Sequence, residues 1–343
     1  MRPAMKEWAI RLALMLGSLL FALALAEVIV RAFYPVVDGR ANVTLDGKPI
    51  KDWFGPGSVY RQISNEYDAI TTITDKRHRV PGTDGNPEVV FLGDSFTYGY
   101  GLKDDETFAS IYCKARGVAC ANLGIPGSGT SRQVKRLEEF LEAWHWRPKE
   151  VKLFFFGMSG SLSAGNDFVD NYNYGRWLKA QGSGKELLPG EVPRNTPPAT
   201  LAARVIGWQS SLLEHSHVMR RAKFHWGPLL RSLVVNDPGE ARMAEALVYT
   251  ERGLRELDDL SRRAGFDYTI YLIVPVQDII RRTHGDTLAT LNRVSPKPAT
   301  STAPLFVEAP QNYYYAYDGH LNPQGSRRVA EFLIARDSGR SGS

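Results

Sequence analysis

Apolar and polar positions along the chain fall into three regimes. The first is a continuous apolar run over residues 12–30 (LALMLGSLLFALALAEVIV), interrupted by one acid, Glu27. At about 1.5 Å rise per residue this run nearly matches a hydrocarbon core of about 30 Å, so it predicts a transmembrane helix. The second regime covers residues 87–337, where short apolar runs alternate with segments of helical spacing. Strands are predicted at 88–92 (EVVFL), 119–123, 151–156 (VKLFFF) and 268–274 (YTIYLIV), and helices at 106–115, 131–144, 240–264 and 324–335. Within 131–144, Val134, Leu137, Phe140 and Leu141 recur on one helix face. Such alternation predicts an α/β domain of three layers, with a parallel sheet of about five strands and helices on both faces.

In the third regime the pattern fails. Residues 34–86 are rich in glycine and proline, with one alternating stretch at 69–74 (AITTIT) that reads as an edge strand. This segment is expected to be an extracytoplasmic linker. Residues 172–238 contain Pro189, Pro193, Pro197 and Pro198, then an Arg/His-rich helical segment at 201–233. They are expected to be an insertion in the domain, forming a cap or substrate surface.

Charge orients the apolar run. Arg2, Lys6 and Arg11 precede it and Arg31 follows closely, so the excess of positive charge on the inner side puts residue 1 in the cytoplasm. Residues 1–33 are then a single-pass signal-anchor in the cytoplasmic (inner) membrane, and everything after about Phe33 lies outside, in a periplasm-like space. Two other readings compete. Ala24-Leu25-Ala26 is an A-x-A site at which a signal peptide would be cleaved, although Val28, Ile29 and Val30 carry the apolar run past it. A buried core helix is the other, and the lack of an amphipathic face speaks against it.

Composition narrows the class. A chain of 343 residues with 43% hydrophobic and 23% charged positions can bury a full core, which excludes a disordered or fibrous protein. The formal charge is +5, but Lys and Arg are interspersed with Asp and Glu rather than gathered in basic runs, so no nucleic-acid partner is expected. Cys113 and Cys120 allow one bridge or two inert thiols. They flank a helix-to-strand turn, and placement outside the cytoplasm favours the bridge.

Two segments carry chemistry. Gly93-Asp94-Ser95-Phe96-Thr97-Tyr98-Gly99 follows a predicted strand and precedes a helix, which sets Ser95 at the carboxyl end of a parallel strand, where α/β sheets build their sites. Ser95 could equally cap the next helix, a role serine favours. Near the other end, Asp318-Gly319-His320 stands just before the last helix. An acid beside a histidine is what a nucleophilic serine needs: the imidazole takes the hydroxyl proton, and the carboxylate holds the imidazole in the right tautomer.

With these blocks the chain resembles the SGNH, or GDSL-like, hydrolases over about residues 87–335. Gly93, Asp94, Ser95 and Gly99 match the family's first block and imply that Ser95 is the nucleophile. Asn122-Leu123-Gly124-Ile125-Pro126-Gly127 resembles the second, implying that the Gly127 backbone N–H faces the oxyanion. Gly165-Asn166-Asp167 resembles the third, implying the same for the Asn166 amide, although residues 157–164 (GMSGSLSA) intervene after the strand. Asp318-x-His320 resembles the last block with a shorter spacing than the usual Asp-x-x-His, and implies His320 as base and Asp318 as its orienting acid.

The resemblance implies an esterase that needs no metal or cofactor, acting on carbohydrate or lipid O-acyl esters. The short spacing, the anchor and the Gly-Asp-Ser-Phe-Thr form also resemble polysaccharide O-acetyltransferases, in which a sugar hydroxyl of a cell-surface polysaccharide attacks the same acyl-serine. A non-catalytic surface-binding protein of this fold is the third reading.

Other signals carry less. Residues 124–129 (GIPGSG) lack the Lys-Ser/Thr ending of a phosphate loop, and residues 157–161 lack the last glycine of a nucleophile elbow, so Ser159 is a poor second nucleophile. His215, His217 and His225 have no completing carboxylate or cysteine for a metal. Trp144, Trp146, Trp177 and Trp208 are either core or the lining of a sugar cleft.

Overall fold

The computed structural model describes residues 3–33, 41–45, 50, 52–81, 85–158, 166–181, 216–219 and 240–340. The chain divides into two compact units, one of residues 1–38 and 196–235, the other of residues 39–195 and 236–343. The first contains helix α1 (Pro3–Phe33), which is long and apolar enough to cross a membrane over Ile10–Phe33, with a mean hydropathy of 2.4. Its leucines and phenylalanines are exposed around the whole helix. Glu27, the one acid of the apolar run, is not left bare. Its carboxylate accepts the Ser216 hydroxyl at 2.8 Å and the His217 and Val218 N–H groups at 2.9 and 3.1 Å.

The second unit is built on a five-stranded parallel sheet. Its strands are β4 (Val89–Gly93), β5 (Cys120–Asn122), β6 (Glu150–Phe156), β7 (Asp267–Ile273) and β8 (Ala299–Ser301), in the order β5-β4-β6-β7-β8. Helices cover both sides, so the fold is a three-layer α/β architecture. The central strands β4, β6 and β7 are buried almost throughout, which is why they read as unbroken apolar runs rather than alternating ones. Helix α2 (Ser95–Tyr98) follows β4, and α3 (Phe108–Arg116) begins at Thr107, whose hydroxyl caps the Ser110 N–H at 3.1 Å. Next comes α4 (Thr130–Ala143), which buries Val134, Leu137, Phe140 and Leu141. After it are α5 (Asp167–Gln181), α6 (Glu240–Ala264), α7 (Val276–Ile280), α8 (His284–Val294) and α9 (Pro323–Arg340). A disulfide joins Cys113 at the end of α3 to Cys120 at the start of β5, with the Cα atoms 6.1 Å apart.

Chain order and sheet order diverge at one place. From β4 the chain crosses to β5 on one side, then returns to build β6, β7 and β8 on the other. The crevice between the carboxyl ends of β4 and β6 is therefore the switch point at which such sheets bind ligands.

The stretch expected to be a linker at 34–86 is instead structured over much of its length. Strands β1 (Ala41–Thr44), β2 (Val59–Ile63) and β3 (Asp68–Thr72) form a separate antiparallel sheet. The AITTIT stretch, expected as an edge strand, supplies β3 at one edge of this sheet. Phe54, Tyr60 and Ile73 pack with Tyr98 and Ile125, and Tyr67 packs with Tyr100, Leu102 and Tyr315. Each such side chain contributes roughly 1.5–3 kcal/mol when fully buried, which explains why this segment is attached. The expected start of the insertion at 172 also shifts, since α5 runs on to Gln181 and buries Tyr172. Of the remainder, including the helical segment at 201–233, all but residues 216–219 lies outside the described residues, as do Ser159, Gly165, His215, His225 and Trp208.

Candidate active site

Ser95 opens α2 directly beyond β4. Gly93 has φ of 154°, and a Cβ there would stand 2.1 Å from Thr97 Oγ1 and 2.7 Å from the Phe154 carbonyl, so only glycine allows the sharp exit from the strand. Asp94, not Ser95, caps the helix: its carboxylate accepts the Phe96 N–H at 2.9 Å. The Ser95 hydroxyl is thus released from the capping role. It meets the imidazole of His320, with Oγ 2.7 Å from Nε2. On the other side of the ring, Nδ1 is hydrogen-bonded to Asp318 Oδ1. The three side chains expected to act together form one hydrogen-bonded chain. The ring of His320 lies between Phe96 and Tyr100, with centroids 4.8 and 5.2 Å away.

Electrostatics agree with this geometry. Burial alone would pull the His320 imidazolium down, but the charge and hydrogen bond of Asp318, helped by Asp94, hold it above the usual histidine value. Burial alone would raise Asp318, yet His320 and the hydroxyl of Tyr67 outweigh it and leave its carboxyl below the usual range. A donor on each carboxylate oxygen explains that direction.

The other two expected residues lie on the loops that flank this chain. Gly127 is exposed on the loop after β5 and has φ of 67°, a left-handed conformation suited to glycine. That loop presses on α2: a Cβ on Gly124 would stand 2.3 Å from the Tyr98 nitrogen. Asn166 is fully buried at the start of α5, where its Oδ1 accepts the Val169 N–H at 3.2 Å. The Gly127 and Asn166 segments also touch each other, since Asn171 Oδ1 accepts the Ser131 N–H at 3.0 Å.

Behind the serine Asp94 and Asp167 are buried and Asp170 is half-buried, a grouping of acids that the sequence reading did not foresee. Burial raises Asp94 to about 6, against the opposing Phe96 N–H and His320. Burial, then the charges of Asp94 and Asp170, push Asp167 well up, against the smaller opposing influence of Gln133 and the Phe156 backbone. Asp170 is raised to about 7 by burial and by Asp94.

The residues that hold the site in place were also missed. The guanidinium of Arg79, fully buried, donates to the carbonyls of Tyr98, Gly99 and Leu102 at 2.5–2.6 Å and so fixes the chain leaving α2. Gln62 accepts the Gly101 N–H at 2.6 Å. Tyr67 donates to Asp318 Oδ2 at 3.0 Å. All three come from the segment read as a linker, where a polar residue in a short strand or turn carries no signal of its distant partner.

Of the tryptophans, Trp146 is core, Trp144 is exposed beneath Lys76, and Trp177 stacks on Tyr174. A groove of about 1020 Å³ between α4, α5 and α6 contains none of the expected site residues. Among the described residues, no three of His, Cys, Asp and Glu are arranged to hold a metal ion.

No protein-family model matches the sequence, and no curated relative matches it. Solved structures to which the chain is similar include the psychrotrophic esterase EstA from Pseudoalteromonas, at 12% identity, 74% of this chain, 98% of the other and a TM-score of 0.38. A protein assigned to the lipolytic G-D-S-L family from Desulfitobacterium hafniense shows 12% identity over 73% of this chain and 99% of the other, with a TM-score of 0.37. The acetylxylan esterase Axe2 from Geobacillus stearothermophilus shows 15% identity over 73% and 94%, with a TM-score of 0.36.

Proposed function

We propose that the chain is a serine esterase, anchored in the membrane by α1 and working outside the cytoplasm through an acyl-serine intermediate. The observation that carries this reading is the hydrogen-bonded chain Ser95–His320–Asp318 at the switch point of the sheet. For His320 to act as base, its proton sits on Nδ1 facing Asp318, and Nε2 accepts the Ser95 hydroxyl proton. Ser95 Oγ then attacks the ester carbonyl, and the negative charge that develops on the carbonyl oxygen is met by backbone N–H groups of Ser95 and Gly127 and by the Asn166 amide. Protonated His320 gives its proton to the departing alcohol. Water enters and attacks the acyl carbon while losing a proton to the same nitrogen; as the bond to Ser95 Oγ breaks, His320 returns that proton to Oγ and the acid departs.

The substrate class is an O-acyl ester of a carbohydrate or lipid, and no cofactor takes part in these steps. A second reading, acetyl transfer to a polysaccharide hydroxyl, draws support from Tyr317, which is 54% exposed and adjoins Asp318. An exposed aromatic face of this kind suits a sugar ring.

The test is labelling of the detergent-solubilised full chain with a fluorophosphonate, followed by peptide mapping. A single adduct on Ser95 is expected. An adduct on Ser159, or none on a folded protein, would overturn the reading.

A further inference from the structure

The turn between β2 and β3 reaches 251 residues along the chain to grip the acid loop. Ser64 shapes this turn, its hydroxyl accepting the Glu66 and Tyr67 N–H groups at 3.0 and 3.2 Å. The carboxylate of Glu66 accepts the Tyr317 N–H at 3.1 Å and the Asp318 N–H at 2.8 Å. The phenol of Tyr67 donates to Asp318 Oδ2 at 3.0 Å, while Oδ1 of the same carboxylate is taken by His320. Tyr67 is only 7% exposed, with its ring against Tyr315 at 5.0 Å and Tyr100 at 6.1 Å. Tyr315 in turn donates to the Gly101 carbonyl at 2.9 Å. One turn therefore touches both the chain that leaves the nucleophile and the loop that bears the acid.

From this arrangement we propose that Tyr67 is a positioning residue for the Ser95–His320–Asp318 chain, and that Glu66 holds the backbone on which it works. The inference rests on the esterase reading of that chain. A carboxylate two residues from its histidine is attached by a short loop, here with Gly319 at φ of 85°. Nothing within the loop itself holds the second oxygen. Left free, the carboxylate can rotate about its Cβ–Cγ bond and present either oxygen, or neither, to Nδ1. The Tyr67 hydroxyl fills Oδ2 and removes that freedom, leaving Oδ1 aimed at the ring. The N-terminal sheet thus supplies the orienting contact for the shortened Asp-x-His loop.

The experiment compares the full chain in detergent with Tyr67→Phe and Glu66→Gln, using p-nitrophenyl acetate turnover, fluorophosphonate labelling and the low-field proton NMR signal of His320 Nδ1–H. Phenylalanine keeps the ring packing and removes only the donor. For Tyr67→Phe we expect kcat to fall between about 10-fold and 10²-fold, less than the ~10⁴-fold expected on disabling the acid, with KM unchanged. The His320 signal should move upfield, and the acid limb of kcat/KM should shift to lower pH, because a loosened Asp318 raises His320 less. Glu66→Gln should move the signal in the same direction by a smaller amount.

An unchanged pH profile and an unmoved His320 signal in a folded Tyr67→Phe protein would overturn the proposal. So would a loss of thermal stability with kcat intact, since that marks a purely structural contact. Should Tyr67→Phe not fold, Glu66→Gln decides by the same two readouts. Failure of the wild-type chain to hydrolyse or label would defeat the esterase reading separately, because the NMR signal still reports whether Tyr67 orients Asp318.

Discussion

His320 Nε2 lies 2.7 Å from Ser95 Oγ, although the two residues are 225 positions apart in the chain. They meet because β4 ends in the glycine that permits the sharp exit to Ser95, while the loop before α9 is tied to the N-terminal turn and to the Tyr315 backbone, whose N–H bonds the His320 carbonyl at 2.8 Å. Neither residue has another strong reason to occupy its position, since Asp94 performs the capping at α2.

If Ser95 and His320 act as one unit, their losses should not add. Ser95→Ala and His320→Ala are each expected to abolish most esterase activity, and the double variant should be scarcely slower than either alone. Asp318→Asn should cost about 10⁴-fold, because the contact to Nδ1 is made despite the short spacing. Steady-state rates of the four variants check this; additive losses would mean that the two residues act separately.

Asn166→Ala should lower kcat by about 10²-fold or more, as for a lost oxyanion donor. The same change removes the cap on the Val169 N–H, so stability should fall by roughly 1 kcal/mol as well. Asn166→Asp separates the two effects. It keeps the capping oxygen and deletes the amide donor, so a slow enzyme with α5 still capped is expected at pH values where the new carboxyl is ionised, and full activity there would move the donor elsewhere.

The fold was legible where burial is two-sided or the amphipathic stripe is long. Residues 151–156 and 268–274 are apolar on both faces, and 131–144 and 240–264 run long enough for a helical period to stand out. Ser95 and His320 stood out because each sits in a short motif beside a predicted element. Strand β8 and helices α7 and α8 were not legible, being short and mixed in polarity. Glu66, Tyr67 and Arg79 were hidden for another reason. Their roles are hydrogen bonds to groups far along the chain, and hydrophobic periodicity carries no information about such partners.

A reporter active only outside the cytoplasm, fused after residue 343, should be active if α1 spans with its basic end inside. Reversing the flanking charges by Arg2→Glu, Lys6→Glu and Arg11→Glu should reduce that activity. Expressed but inactive fusions of the unaltered chain would reverse the proposed orientation. The same compartment should keep Cys113 and Cys120 bridged, so thiol alkylation of unreduced native protein should modify neither.

The buried acids predict how stability responds to pH. Asp94 and Asp170 titrate near 6 and 7 in the fold, against 3.8 for a free aspartate, so folding takes up protons between those values. Groups raised in this way contribute most below pH 3.8, and their contribution is lost as pH rises through 6 to 7. His320, also raised, acts in the same direction around and above its usual value, whereas the lowered Asp318 works oppositely and only in acid. Unfolding by denaturant should therefore give a stability about 2 kcal/mol greater at pH 5 than at pH 8, a figure kept below the full sum because Asp170 is partly exposed and the acids share one field. Asp170→Asn removes one ionisable member without touching the triad. It should flatten the decline and raise stability at pH 8, while leaving that at pH 5 nearly unchanged. A decline equally steep in Asp170→Asn would show that Asp170 ionises freely in the fold and that other groups cause the pH dependence.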